Sequence, residues 1–119
     1  LAGSGIGLTV SGSLTFPATN FTRTYTGTTT FNATTTGKTV TTNGVAFGAG
    51  VTFNGVGGGW TLGSALTVPT GSTTTTLTNG TLNLASYTLS TGLFNSSNSN
   101  TRTIAFGTGQ ISCTATGTV

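Results

Sequence analysis

Few side chains in this sequence can do chemistry. The 119 residues hold three Lys and Arg together, no Asp, no Glu and no His, so Arg23, Lys38 and Arg102 are its only ionised side chains at neutral pH. Tyr25, Tyr87 and the single Cys, Cys113, are the further titratable side chains, beside many Ser and Thr hydroxyls. Glycoside hydrolysis by paired carboxylates needs two Asp or Glu. A Ser or Cys nucleophile needs a base, ordinarily His, and a group that orients it. Zinc takes Cys, His or carboxylate ligands, and calcium takes several carboxylates. The Gly55–Trp60 run is rich in glycine but lacks the Lys-Ser/Thr of a phosphate loop. The sequence therefore points to a non-enzyme with no cofactor and no metal.

The three cations share a local setting. Each precedes Thr and a large apolar residue, in Arg23-Thr24-Tyr25, Lys38-Thr39-Val40 and Arg102-Thr103-Ile104, and Trp60-Thr61-Leu62 has the same form. One slot of a repeat would set Arg23, Lys38, Trp60 and Arg102 in a row along one edge. Such a row could contact a glycan, with the aromatic face stacking and the cations bonding hydroxyls. The favoured reading is structural: the long stems lie across a corner and Trp60 sits in the core. Three scattered cations make a poor phosphate track, so nucleic acid is not an expected partner. A lone Cys113 has no internal disulfide partner and reads as a small buried residue.

These residues are positioned by a repeat. Thr30-Phe31-Asn32 leads to Gly37-Lys38-Thr39-Val40, and Thr52-Phe53-Asn54 leads to Gly59-Trp60-Thr61-Leu62 in the same register with no gap between the copies. Phe16 to Tyr25, Phe31 to Val40 and Phe53 to Leu62 share one spacing, and Phe94 to Ile104 is longer by a single position. Val45-Ala46-Phe47-Gly48 echoes Ile104-Ala105-Phe106-Gly107. Leu62, Leu84 and Phe106 recur at the period of the Phe31 and Phe53 copies, as do Leu89 and Ile111. Asn43-Gly44, Asn54-Gly55 and Asn79-Gly80 read as turns, because Asn and Gly tolerate positive φ.

Between these points apolar residues alternate with Thr, Ser and Asn, the mark of strands. Thr and Gly are the commonest residues, and no window carries helical spacing. A period of about 22 residues suits one coil of a β-solenoid, each burying its inward side chains on the coils above and below. Thr and Asn would then form ladders on the outside. The alternative is an antiparallel β-sandwich or jelly roll, which also expects closely spaced turns. The chain reads as one all-β domain over 1–119, with an irregular start at 1–15 and repeats from about 16 to 119. Short strands are expected at 8–10 and at Ser13–Phe16. Neither end looks capped, from Leu1-Ala2-Gly3 to Thr118-Val119, which points to a piece of a longer repeat protein or a subunit covered by neighbours.

No apolar run reaches transmembrane length, and Leu1–Gly7 lacks the basic start of a signal peptide. Asn20, Asn32, Asn79 and Asn95 each open an Asn-X-Ser/Thr triplet, the acceptor form for glycosylation in a secreted eukaryotic chain. Thr-x-Thr occurs at Thr22–Thr26, Thr28–Thr30 and Thr39–Thr41, a pattern that could match ice. The copies do not keep one place in the register, which weakens that reading.

The portion from Val51 to Val119 resembles repeats in structural proteins of aquatic bacteriophages and bacteria. The residues that carry the likeness are Phe53 to Leu62, Leu77 to Leu84 and Ser99 to Ile104. The resemblance implies a virion fibre, spike shaft or capsid decoration, or an extracellular filament. It implies an extracellular or virion location and partners among copies of the chain or other virion subunits. It supplies no catalytic residues. A carbohydrate-binding adhesin module is the second function expected, and an ice-binding one the third.

Overall fold

The computed structural model describes residues 1–115, so Thr118-Val119 lies outside the described residues. The described chain is a parallel β-solenoid of about five turns, with coils of about 22 residues. It has eleven strands and no helix, and so no helix long and apolar enough to cross a membrane. All strand pairings are parallel, which excludes the antiparallel sandwich.

Three walls build each coil. The first stacks β1 (Leu8–Val10), β3 (Thr29–Phe31), the start of β5 (Val51–Leu62), the start of β7 (Thr74–Asn83) and β9 (Leu93–Asn95). The second stacks β2 (Leu14–Thr15), β4 (Lys38–Thr41), the ends of β5 and β7, and β10 (Arg102–Ala105). The third stacks β6 (Leu66–Thr67), β8 (Thr88–Thr91) and β11 (Gln110–Cys113). Phe47 continues the third wall above β6 by donating its N–H to the Thr67 carbonyl at 2.9 Å. The strands expected at 8–10 and near Ser13–Phe16 are β1 and β2, and β1 already pairs with β3. The stack thus begins inside the stretch expected to be irregular.

Two walls are joined without a break in β5 and β7, which bend round one corner through glycine. Asn54-Gly55 and Asn79-Gly80 therefore lie inside strands, whereas Asn43-Gly44 is a turn with φ of 49° and 84°. At the bend Asn79 Nδ2 donates to Asn54 Oδ1 at 2.7 Å, and two coils earlier Ser11 Oγ donates to Asn32 Oδ1 at 2.8 Å. Polar side chains thus pair from coil to coil, as a ladder at strand spacing requires.

The core fills the tube. Phe31 pairs with Phe53, their rings stacked with centroids 5.0 Å apart and 11° between planes. Val40 pairs with Leu62, and Leu89 with Ile111. Phe47 meets Phe31 edge-on at 6.2 Å, and Trp60 leans on Phe53 at 5.3 Å. Leu62, Leu84 and Phe106 directly follow the paired residues Thr61, Asn83 and Ala105 and keep that register, whereas two other echoes do not. Phe94 pairs with Thr75, one pleat before the file of Phe31, Phe53 and Leu77. Phe47 is buried on the third wall, while Phe106 lies past the second wall and is 46 % exposed. Cys113 is exposed, not buried, because it ends the last described strand, which pairs on one side only among the described residues.

The titration of buried Tyr25 bears on stability. Its hydroxyl shares a 2.8 Å hydrogen bond with Thr29 Oγ1. Burial pushes the phenol above its ordinary value, against smaller opposing effects of the Thr29 bond and the Arg23 charge. A raised folded value makes the protonated form the stabilising one. Its contribution is complete below the unfolded phenol's pKa, about 10, and is lost as pH rises through the folded value. With no Asp, Glu or His side chain, acid has no such lever. Far-UV circular dichroism against pH should show a folded protein at about pH 3 and a loss of stability above about pH 10. That alkaline loss should be smaller in Tyr25→Phe. Cooperative unfolding in acid would contradict this account.

Candidate functional site

The four residues expected in one row are not in one row. Lys38 and Trp60 are paired in register, and Trp60 pairs with Leu82, which pairs with Ile104. Arg102 pairs with Gly80, two residues before that slot. Arg23 belongs to the third wall's stack, where its Nε donates to the Ala46 carbonyl and its Nη1 to the Tyr25 carbonyl. Its guanidinium also lies 5.2 Å from the centre of the Tyr25 ring. The tripeptide form recurs, but the corner loops between walls differ in length, so like tripeptides reach different walls.

Trp60 offers no face to a ligand. It is 1 % exposed, and its ring edge lies under Gly58 and Gly80, where a Cβ would come within 2.9 and 3.0 Å of it. Its Nε1 is buried without a partner among the described residues. An unpaired buried donor costs about 1–3 kcal/mol, which the apolar burial of an indole can offset. Trp60 is core, as the structural reading expects, and no stacking row forms.

The Thr-x-Thr copies lie on three walls: Thr22–Thr26 in the third wall's stack, Thr28–Thr30 on the first and Thr39–Thr41 on the second. A different file of hydroxyls exists instead. Thr9, Thr30, Thr52 and Thr76 pair in succession on the first wall, ending at Asn95. The intervals between these positions are unequal, so a fixed period cannot find the file. Of the Asn-X-Ser/Thr residues, Asn20, Asn32 and Asn95 are exposed, while Asn79 is half-buried and bonded to Asn54.

Arg102 stands apart from the other cations. Its Nε donates to Ser96 Oγ at 2.6 Å, its Nη1 to the Asn100 carbonyl at 2.7 Å and its Nη2 to the Ser96 carbonyl. The guanidinium is thereby fixed by the 96–100 loop, and its residue lies half-buried at the corner. Beside it runs a groove of about 270 Å³, lined by Val56, Gly58, Gly80, Thr81, Thr103 and Arg102 among others. The groove draws on four successive coils, the first of them through Thr36. Val56 is 75 % exposed at the crest of the β5 bend. Neither Lys38 nor Arg23 lines it.

Nothing among the described residues groups three or more His, Cys, Asp or Glu side chains as a metal would need. Comparison with family models, curated proteins and solved structures finds no match for this chain.

Proposed function

We propose that this chain is a non-enzymatic structural and assembly protein, a solenoid segment of a bacteriophage virion fibre, spike shaft or capsid decoration, or of an extracellular filament. The observation that carries this reading is the last described coil. Strands β9, β10 and β11 each pair on one side only among the described residues, with Leu93 and Phe106 exposed beside them. A parallel stack grows by adding a coil to such an edge, and that coil can come from further chain or from another subunit. Association of unlike ends is head-to-tail and builds open filaments. The first-wall file of Thr9, Thr30, Thr52 and Thr76 keeps the outside neutral and hydrated, which fits a shaft outside the cell or on a particle.

Light scattering after size-exclusion chromatography tests the reading. The protein should gain mass with concentration, and negative-stain images should show linear particles. A double variant, Leu93→Lys with Phe106→Lys, should remain monomeric with a melting temperature within a few degrees of the parent, because both residues are already exposed. A parent that stays monomeric at millimolar concentration, or a double variant that assembles equally, overturns the proposal. The groove beside Arg102 favours a second reading, a carbohydrate-binding module; it runs across four coils and reaches the last described one through Arg102 and Thr103 of β10.

A further inference from the structure

We infer that the groove beside Arg102 binds an acidic saccharide, with the guanidinium taking a carboxylate or sulfate and the β5 bend taking the apolar face of a sugar ring. The inference rests on the carbohydrate reading of the groove and adds the charge of its ligand.

Three features argue for it. The first is fixed geometry. Three of the five guanidinium N–H groups are bonded to Ser96 and Asn100. That leaves two without a partner among the described residues, on a side chain whose orientation is already set. A guanidinium held in this way loses little entropy when it engages an anion.

The second is uncompensated charge. The chain contains no Asp and no Glu, so no side chain neutralises Arg102. A half-buried guanidinium attracts an anion more strongly than an exposed one, since solvent screens it less. Arg also matches the planar or forked oxygens of carboxylate and sulfate better than Lys does.

The third is shape. Gly58 and Gly80 keep that part of the groove wall at the height of the backbone. Gly80 has φ of +87°, and a Cβ there would lie 2.6 Å from the Gly58 carbonyl oxygen. The groove is thus maintained by the same packing that seats Trp60. Val56 supplies an exposed apolar surface along one side, and Thr81 and Thr103 pair in register on adjacent coils. Four coils span three strand spacings, about 14 Å, long enough for a short oligosaccharide.

Titration calorimetry with the full chain tests this against three probes: a galacturonic acid trimer, a chondroitin sulfate oligosaccharide and neutral maltotriose. One or both acidic probes should bind, and the preferred one identifies carboxylate or sulfate as the anion. Arg102→Gln should weaken that binding at least tenfold. Because Arg102 also holds the 96–100 loop, Val56→Asp provides the second arm. It sets a negative charge on an exposed position and should weaken binding at least tenfold with an unchanged melting temperature. Lys38→Gln, at a cation that does not line the groove, should change it less than twofold. Equal losses in Lys38→Gln and Arg102→Gln would mean diffuse attraction of polyanions and would overturn the inference. Binding of maltotriose as tightly as the acidic probes, abolished by Val56→Asp, would sink the acidic ligand and leave a sugar groove. No binding of any probe at millimolar concentration would remove both.

Discussion

Gly55→Ala is expected to cost about 4 kcal/mol or more, among the largest effects a single methyl group can have. A Cβ at Gly55 would fall on the Ala33 carbonyl oxygen of the coil above, far inside van der Waals contact. The φ of Gly55 lies outside the left-handed region, so the cost is steric and owes nothing to backbone preference. Neither atom can yield cheaply. Ala33 is buried at the corner, and Gly55 is part of β5, which continues into both walls of the next coil. Moving either separates paired strands. Gly12→Ala is the matched control: its Cβ would have open space within 4 Å and its φ is not positive. That variant should be neutral, or more stable by up to about 1 kcal/mol through a less flexible unfolded chain. Thermal and urea denaturation of the two variants decide the matter. Equal stability of Gly55→Ala and the parent would mean that the coils do not approach as closely as described.

Phe53→Ala should cost about 3–5 kcal/mol and lower the melting temperature by on the order of 10–25 °C. Phe53 is fully buried between coils, with Phe31 stacked on it at 5.0 Å and Trp60 against it at 5.3 Å. Truncation removes the ring and opens a cavity that two rings on neighbouring positions cannot fill without leaving their strands. Phe53→Leu should cost far less, about 1–2 kcal/mol, because the next residue of the same file is Leu77. Phe106→Ala should cost under about 1 kcal/mol, since that ring is 46 % exposed at the end of the stack. Had the echo between Phe47 and Phe106 been structural, the two phenylalanines would respond alike. The melting temperatures of Phe47→Ala and Phe106→Ala separate these cases directly.

How much of this can be read from residues alone differs along the chain. Phe31 over Phe53 and Val40 over Leu62 are legible because no residue is inserted between those coils. Leu89 over Ile111 is legible for the same reason. Elsewhere the corners absorb extra or missing residues while the walls stay aligned. The corner between Leu14 and its partner Val40 is longer than the repeat, and the path from Thr76 to its partner Asn95 is shorter. A tripeptide such as Arg-Thr-Tyr or Arg-Thr-Ile carries no information about the loop before it. For that reason Arg23 and Arg102 resemble Lys38 locally and still reach other places. The groove has one visible sign in the sequence, the glycine density of Gly55–Gly59. Weighed only against a phosphate loop, that density says nothing; its physical origin is close approach of coils and room for Trp60.

Alternation of apolar residues with Thr and Asn, together with one ungapped echo, was enough to determine an all-β fold and to name the central pairs of a stacked β-coil, while the parallel pairings excluded the sandwich. Such local patterns set which side of a strand faces inward, because side chains in a strand alternate with a period of two. Which residues share a corner was decided only by the tertiary structure. Corner loops are free to change length as long as the walls remain in hydrogen-bonding register, so the neighbours of Arg102, the shelter of Trp60 and the Thr9–Thr76 file follow from the assembled stack.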